Sequence, residues 1–225
     1  NKLFCHWRDL RGLGLTAARN TIKNDSLDLL IDLAGHTKNS ALDVLATQPA
    51  PIQAHYLGYG CTIGSDCIQY LITDANHTTN HIEKACHEHL VYLPNSFMAT
   101  DSTQVPSKNL DRSTENLPKN AFVFVCFNNH YKLDPTIFAN WMQILKATPK
   151  SILWLLGANS SVLNNLKEAA ERSGVNSERL VFAKRVSRDM HLARIRLANL
   201  ALDTRIHGGG VTTLDALSAG LPVIT

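Results

Sequence analysis

The sequence predicts an α/β protein of two Rossmann-like lobes, each a parallel sheet with helices on both faces. Three observations carry that prediction. Short apolar runs alternate with amphipathic helical stretches, the pattern that yields parallel strands joined by crossover helices. A stretch from Thr100 to Asn120, rich in Ser, Thr, Asn, Lys, Asp and Pro, interrupts that alternation and divides the chain. Near the end, a strand runs into three consecutive glycines and then a short helix, between Leu202 and Gly220. The expected division is a first lobe over 1–101, a linker over 102–119 and a second lobe over 120–225.

The elements follow from local pattern. Residues 9–25 place Leu10, Leu13, Leu15, Ala18 and Ile22 at loose helical spacing. Leu27 to Leu33 is a compact apolar run between Asn24-Asp25-Ser26 and Gly35, as expected of a parallel strand buried on both faces. The chain then turns through Ala34-Gly35-His36-Thr37-Lys38 at the carboxyl end of that strand, the usual ligand edge of an open α/β sheet. A short helix over Ala41–Ala46 stops before Pro49 and Pro51. Strands are expected at Ile52–Leu57, Tyr70–Asp74 and Leu90–Pro94, the first running into a loop with three glycines in Gly58–Gly64. His77, His81, Cys86, His87 and His89 lie close in sequence, but their spacings match no standard zinc site, and solvated side chains are the expected reading.

In the second half, Phe122–Phe127 reads as a strand, followed by the loop Asn128–Lys132 and a helix entered through Asp134-Pro135. Ile137, Phe138, Trp141, Ile144 and Leu145 give that helix its buried face. Ser151–Leu156 is a strand, Val162–Arg172 a helix ended by Gly174, and Arg179–Phe182 a strand. Ser187 is expected to cap a helix over Arg188–Ala198, and a strand over Asn199–Leu202 enters the glycines. Thr212 or Thr213 is expected to N-cap the helix that Gly220 stops, before a last strand over Pro222–Thr225.

Composition narrows the function classes. The 225 residues are 44% hydrophobic and 18% charged with net charge +3, which suits a soluble globular protein and excludes disorder. Lys and Arg are scattered, so no nucleic-acid footprint is expected. Five cysteines without CxxC spacing suit reduced thiols in the cytoplasm better than a disulfide framework. No apolar run approaches the roughly eighteen residues of a membrane span. The start at Asn1 and the final uncovered strand read as a fragment, with the first lobe incomplete and the second represented by its N-terminal part.

The glycine turn is the chemical centre. Glycines let backbone approach a ligand closely, and the following helix N-terminus favours negative charge, so a phosphate is the natural guest. The spacing is neither a dinucleotide fingerprint nor a P-loop. Lys132 leaves a predicted strand end and projects toward the same edge, a place where a lysine makes sense if an anion binds. Arg188, His191 and Arg194, three residues apart, share one helix face.

Three segments, Asp28–Asp74 (with DLAGHTKNSALDVL and QPAPIQAHYLGYG), Phe122–Leu156 and Ala198–Thr225 (with RIHGGGVTTLDALSAGLPVIT), carry a resemblance over nearly the whole chain. They resemble the catalytic region of protein O-GlcNAc transferases and their SPINDLY-like relatives. The resemblance implies a two-lobed fold of the glycosyltransferase B type and a UDP-N-acetylglucosamine donor. It further implies transfer to Ser and Thr hydroxyls of intracellular proteins in the cytoplasm, or in the nucleus of a eukaryote, with inversion and no metal. Acceptor-binding helical repeats would lie outside the chain. Carried over, Lys132 matches the lysine that neutralises the diphosphate and is the implied catalytic residue, with Asn129 beside it. His207, Gly208, Gly209, Gly210, Val211 and Thr212 match the phosphate-binding turn, and Asp215 a ribose-binding carboxylate. Arg188, His191 and Arg194 form the nucleoside side, with His191 packed on uracil. Leu57, Gly58, His36 and Lys38 face the sugar or acceptor. The chain departs from the family at Gly210-Val211-Thr212, where His-Thr-Thr is usual, and at Gly60-Cys61, where Pro-Gly is usual. No general base stands out, though His36 and His55 lie at suitable loop or strand ends. A GDP-fucose-dependent SPINDLY-like enzyme, a protein glucosyltransferase and a non-catalytic nucleotide-sugar-binding scaffold remain as alternatives.

Overall fold

A computed structural model describes residues 4–101 and 109–225. The chain divides into two compact units, Asn1–Ala99 and Thr100–Thr225. Each carries one wholly parallel sheet, as expected from the alternating pattern.

In the first unit, helix α1 (Leu15–Asn24) precedes strand β1 (Leu29–Asp32), helix α2 (Leu42–Leu45) and strand β2 (Ile52–Tyr56). Strand β3 (Tyr70–Asp74), helix α3 (Asn80–Ala85) and strand β4 (His89–Leu93) complete it. The strands lie in sequence order, β1-β2-β3-β4. One face is packed: Leu45, Ile63, Cys67 and Ile68 form a small core with Leu30, Leu42 and Tyr59 against it.

The opposite face corrects the reading of Leu27–Leu33 as a two-sided buried strand. Strand β1 begins only at Leu29 and lies at the edge among the described strands, and its Leu29 and Ile31 are exposed, as is Ile52, the register partner of Leu29. A continuous apolar run specifies burial on both faces only where something covers both, and no described element covers this one.

The second unit is doubly covered. Strand β5 (Phe122–Cys126), helix α4 (Pro135–Ala147), strand β6 (Ser151–Leu156), helix α5 (Ser160–Arg172) and strand β7 (Leu180–Ala183) run outward from the centre. Helix α6 (Arg188–Ile195) then carries the chain back to strand β8 (Leu200–Leu202), helix α7 (Val211–Ser218) and strand β9 (Val223–Ile224). The resulting order, β7-β6-β5-β8-β9, reverses direction between β5 and β8.

Alternate residues of the central strands enter two separate cores. Val123, Val125, Ile152 and Trp154 pack with Ile195 and Ala216 of α6 and α7. Phe124, Cys126, Leu153 and Leu155 pack with Phe138, Trp141, Leu145 and Ala170 of α4 and α5. All six residues of β6 are buried, which is why it is apolar from Ile152 to Leu156, while the buried Ser151 hydroxyl donates to the Thr148 carbonyl at 2.7 Å. Asp134 caps α4 by accepting from the Thr136 and Ile137 amides, with Pro135 at the first turn.

Of the stretch 102–119 expected to act as a linker, 102–108 lie outside the described residues. A 3-10 turn over Arg112–Glu115 follows and is bound to the second unit. The Arg112 guanidinium donates to the Ala121 carbonyl at 2.7 Å and to Asn199 Oδ1 at 2.8 Å.

Candidate functional site

The reversal between β5 and β8 leaves a crevice at the carboxyl ends of those strands, the position where open α/β sheets bind ligands. Two loops meet there. Asn128 to Lys132 leaves β5, and Asp203 to Gly210 leaves β8.

Lys132 Nζ donates to the Gly208 carbonyl at 2.8 Å. Burial lowers the Lys132 pKa, while the nearby Asp203 and Cys126 oppose that effect. Asn129 is exposed at the N-cap of a 3-10 turn, His130–Lys132. His207 is exposed, with its ring edge-on to Tyr131 at 6.4 Å.

The glycine turn differs from the expected capping. Gly210, not Thr212 or Thr213, is the N-cap of α7, at φ 55° and ψ −111°. That left-handed backbone favours glycine and swings both threonine side chains back toward the strand ends. Thr212 Oγ1 bonds to Asn128 Oδ1 and to the Gly209 carbonyl, and Thr213 Oγ1 donates to Asp203 Oδ2 at 3.1 Å. Gly209 is a close-approach position: a Cβ there would sit 2.2 Å from Thr213 Oγ1. Val211 opens the helix with its side chain exposed.

A polar network missed in the sequence holds the turn in place. Asp203 Oδ2 accepts from the Gly209 amide at 3.1 Å, and Asp203 Oδ1 accepts from the Thr204 amide at 2.7 Å. Buried Asn128 donates to Asp203 Oδ1 at 2.9 Å and to Thr204 Oγ1 at 3.0 Å, and Thr204 Oγ1 donates to the His207 carbonyl at 2.6 Å. Position was the available signal, since Asn128 and Asp203 each follow the last residues of a strand.

Beside the turn, Asp215 is 5% exposed on α7 and accepts two bonds from Arg188, at 2.8 and 3.2 Å. Such a two-point contact orients both side chains. His191 stands next to them, its ring 5.3 Å from Phe127. Its Nδ1 accepts from Arg194 at 3.2 Å, leaving the proton on Nε2, 3.8 Å from Asp215 Oδ2. Burial and the adjacent Arg194 charge lower the His191 pKa, with Arg188 adding to the effect and Asp215 opposing it, so the ring is neutral at pH 7.

Arg194, expected on one helix face with Arg188 and His191, turns inward. It is 1% exposed, with its guanidinium 4.6 Å over the Phe127 ring, and it donates to the Lys184 carbonyl at 2.5 Å. Its place is beneath His191 and Phe127, holding the ring that faces outward.

In the first unit, the expected sugar-facing residues occupy the loops after β1 and β2. Leu57 follows the end of β2 at φ 69°, a left-handed conformation costing a side-chain-bearing residue about 1–3 kcal/mol. Gly58 follows it in the chain and donates its amide to the Tyr56 carbonyl at 2.9 Å. His36 Nε2 lies 3.0 Å from the Ile63 carbonyl, and Lys38 is exposed in the same turn. The clustered histidines take separate partners: His77 bonds to the Gly60 carbonyl at 2.8 Å, His87 pairs with Asp66, and His89 packs near Tyr70. Among the described residues no group of three or more His, Cys, Asp or Glu is arranged to hold a metal ion, and no helix is long and apolar enough to cross a membrane.

The sequence matches the profile of Glycosyl transferase family 41 over residues 5–114 and 105–225. It is 35% identical over 98% of its length to a probable UDP-N-acetylglucosamine–peptide N-acetylglucosaminyltransferase SEC from Arabidopsis thaliana, and covers 23% of that protein. A SPINDLY protein from Solanum lycopersicum, described as a probable enzyme of the same activity, is 31% identical over 97% of the chain and 24% of its own length. The chain thus spans about a quarter of the curated relatives it matches. Among solved structures, a mutant of Thermobaculum terrenum O-GlcNAc transferase superposes over 100% of this chain and 42% of its own, with TM-score 0.86 and 28% identity.

Proposed function

The chain belongs to glycosyl transferase family 41, and from that premise we propose that the protein transfers N-acetylglucosamine from UDP-GlcNAc to serine or threonine hydroxyls of other proteins. The observation that carries the reading is the meeting of Lys132 with the glycine turn ahead of α7. An ammonium and a helix N-terminus at one point favour a diphosphate.

In the proposed reaction the acceptor hydroxyl oxygen attacks the anomeric carbon from the face opposite the diphosphate, the configuration inverts, and the hydroxyl proton is released to solvent water. The bond from that carbon to the β-phosphate oxygen breaks, and its electrons remain on the diphosphate. Lys132 and the amides around Gly208–Thr212 stabilise that growing charge without a metal ion, and fixed donors of this kind are the largest contributors to many enzymatic rate accelerations. His191, neutral and backed by Phe127, suits stacking on a base, and Asp215 with Arg188 suits a ribose. His36, Lys38, Leu57 and Gly58 are proposed to border the sugar and acceptor. Helical repeats outside these 225 residues are proposed to recruit acceptors in the cytoplasm.

The full-length protein incubated separately with UDP-GlcNAc, UDP-glucose and GDP-fucose, with an acceptor lysate, tests the reading by released nucleotide. Preferential release from UDP-GlcNAc is expected. Preference for GDP-fucose would move the protein to the fucosyltransferase reading, and UDP binding without release from any donor would make it a nucleotide-sugar-binding scaffold.

A further inference from the structure

The loop Leu57–Gly64 after β2 is held by side chains from several elements. His55, on β2 and 0% exposed, places Nδ1 2.8 Å from Asp32 Oδ2 and Nε2 2.5 Å from the Tyr59 carbonyl. Asp32 is itself fixed, accepting from the Ala34 and Gly35 amides at 3.1 and 2.7 Å. Buried Glu88 accepts from Thr62 Oγ1 and from the Ile63 amide, both at 2.6 Å. His77 and His36 reach the Gly60 and Ile63 carbonyls.

His36 and His77 each need one N–H, which a neutral imidazole supplies. His55 needs two. A carboxylate and a carbonyl only accept, so both ring nitrogens must donate, and only the imidazolium can do so. A neutral ring would turn a lone pair toward one buried acceptor and leave it unmatched, which is costly. The bond to Tyr59 also closes the chain across Leu57, whose left-handed backbone persists only where its surroundings over-determine it.

We infer that His55 is the positioning residue of this loop, acting as a buried imidazolium that bridges Asp32 and the Tyr59 carbonyl and so sets the backbone of residues 57–62. Its bearing on catalysis rests on the proposed function, in which this loop borders the sugar and acceptor.

The charged and titratable groups around His55 are Asp32 from the end of β1, Glu88 ahead of β4, and the Tyr59 side chain of the loop itself, with His36 against Tyr59. Burial opposes the His55 charge, but the bonds to Asp32 and the Tyr59 carbonyl and the charges of Asp32 and Glu88 outweigh it and raise its pKa above the ordinary histidine value. The loop restraint is therefore complete below the ordinary histidine value of about 6.5 and is lost as pH rises through the higher folded-state value.

Mass-spectrometric exchange of histidine C2 hydrogens reads the protonation of His55 in the full-length protein, and backbone amide exchange of a peptide covering 57–62 reads the loop. His55 is expected to titrate above the ordinary value, with amide exchange, corrected for its intrinsic pH dependence, rising about tenfold or more over the same range. His55→Gln is expected to show fast, pH-independent loop exchange and lowered kcat, with UDP affinity unchanged by calorimetry. If that variant does not fold, the wild-type pH series decides alone. A His55 that titrates at or below the ordinary value, or loop exchange flat across its titration, overturns the inference. Loop behaviour as expected in a protein that turns over no nucleotide sugar would overturn the proposed reaction and leave the positioning role standing. Turnover with a pH-flat loop would do the reverse.

Discussion

The ammonium of Lys132 lies 2.8 Å from the Gly208 carbonyl, tying the carboxyl end of β5 to the glycine turn that follows β8. These residues are 76 apart in sequence and meet because β5 and β8 are neighbours in the sheet. Lys132→Ala in the full-length protein should lower turnover at least about a hundredfold, the scale of losing one preorganised charge-stabilising donor. Donor affinity should fall less. Steady-state kinetics beside calorimetry separates the two, and near-wild-type turnover would remove Lys132 from the catalytic role.

The neutral His191 ring against Phe127 forms a surface suited to a nucleobase. UDP should bind more tightly than GDP, and His191→Ala should remove about 1–3 kcal/mol of UDP binding, the range of base–aromatic stacking. Asp215→Ala should weaken UDP by about 1.5–3 kcal/mol through loss of a charged hydrogen-bond acceptor. Pyrophosphate binding should be nearly unchanged in both, since its proposed contacts are Lys132 and the glycine turn. Titration calorimetry with UDP, GDP and pyrophosphate checks all three statements together.

Arg188 and Arg194 share a helix but should answer differently to removal. Arg194 is buried over Phe127 with Glu115 4.0 Å away, so Arg194→Ala should cost about 3–5 kcal/mol of stability, the scale of breaking a buried charged contact. The Arg188 side chain is 53% exposed, and its pairing with Asp215 should be worth at most about 1 kcal/mol to folding. Urea unfolding of both variants gives the comparison, and equal losses would contradict the burial of Arg194.

The lowered pKa of His191 sets a pH dependence of known sign. The folded protein resists protonating this ring while the unfolded chain takes the proton near pH 6.5, so the unfolded state binds more protons below that value. Stability from this group is full above about pH 6.5 and declines as pH falls. Thermal unfolding of wild type and His191→Gln between about pH 5 and 7.5 should show a shallower acid decline in the variant. Parallel curves would show that His191 does not carry the effect.

Much of the second unit was legible in order. Phe122–Phe127 and Ser151–Leu156 read as strands because nearly every residue is apolar, and Asp134-Pro135 read as a helix start because both residues suit the first turn. The approach of Lys132 to the glycine turn was legible as well, since both lie at carboxyl ends of parallel strands. The first unit was less so. Leu29 and Ile31 have the composition of a covered strand, and composition does not say whether a neighbour exists.

The amino-acid order alone determined the strand and helix alternation, the glycine turn and the residue types gathered near it, because periodicity, capping and turn chemistry act over a few residues. Tertiary structure decided the partners. Asp203 clamping Gly209, Asn128 joining Asp203 to Thr204, Arg194 passing under Phe127 and His55 bridging Asp32 to Tyr59 depend on which strands become neighbours and how loops fold back. Strand order is set by the packing of whole faces, and a hydrogen bond between residues tens of positions apart forms only after that packing has brought its donor and acceptor into reach.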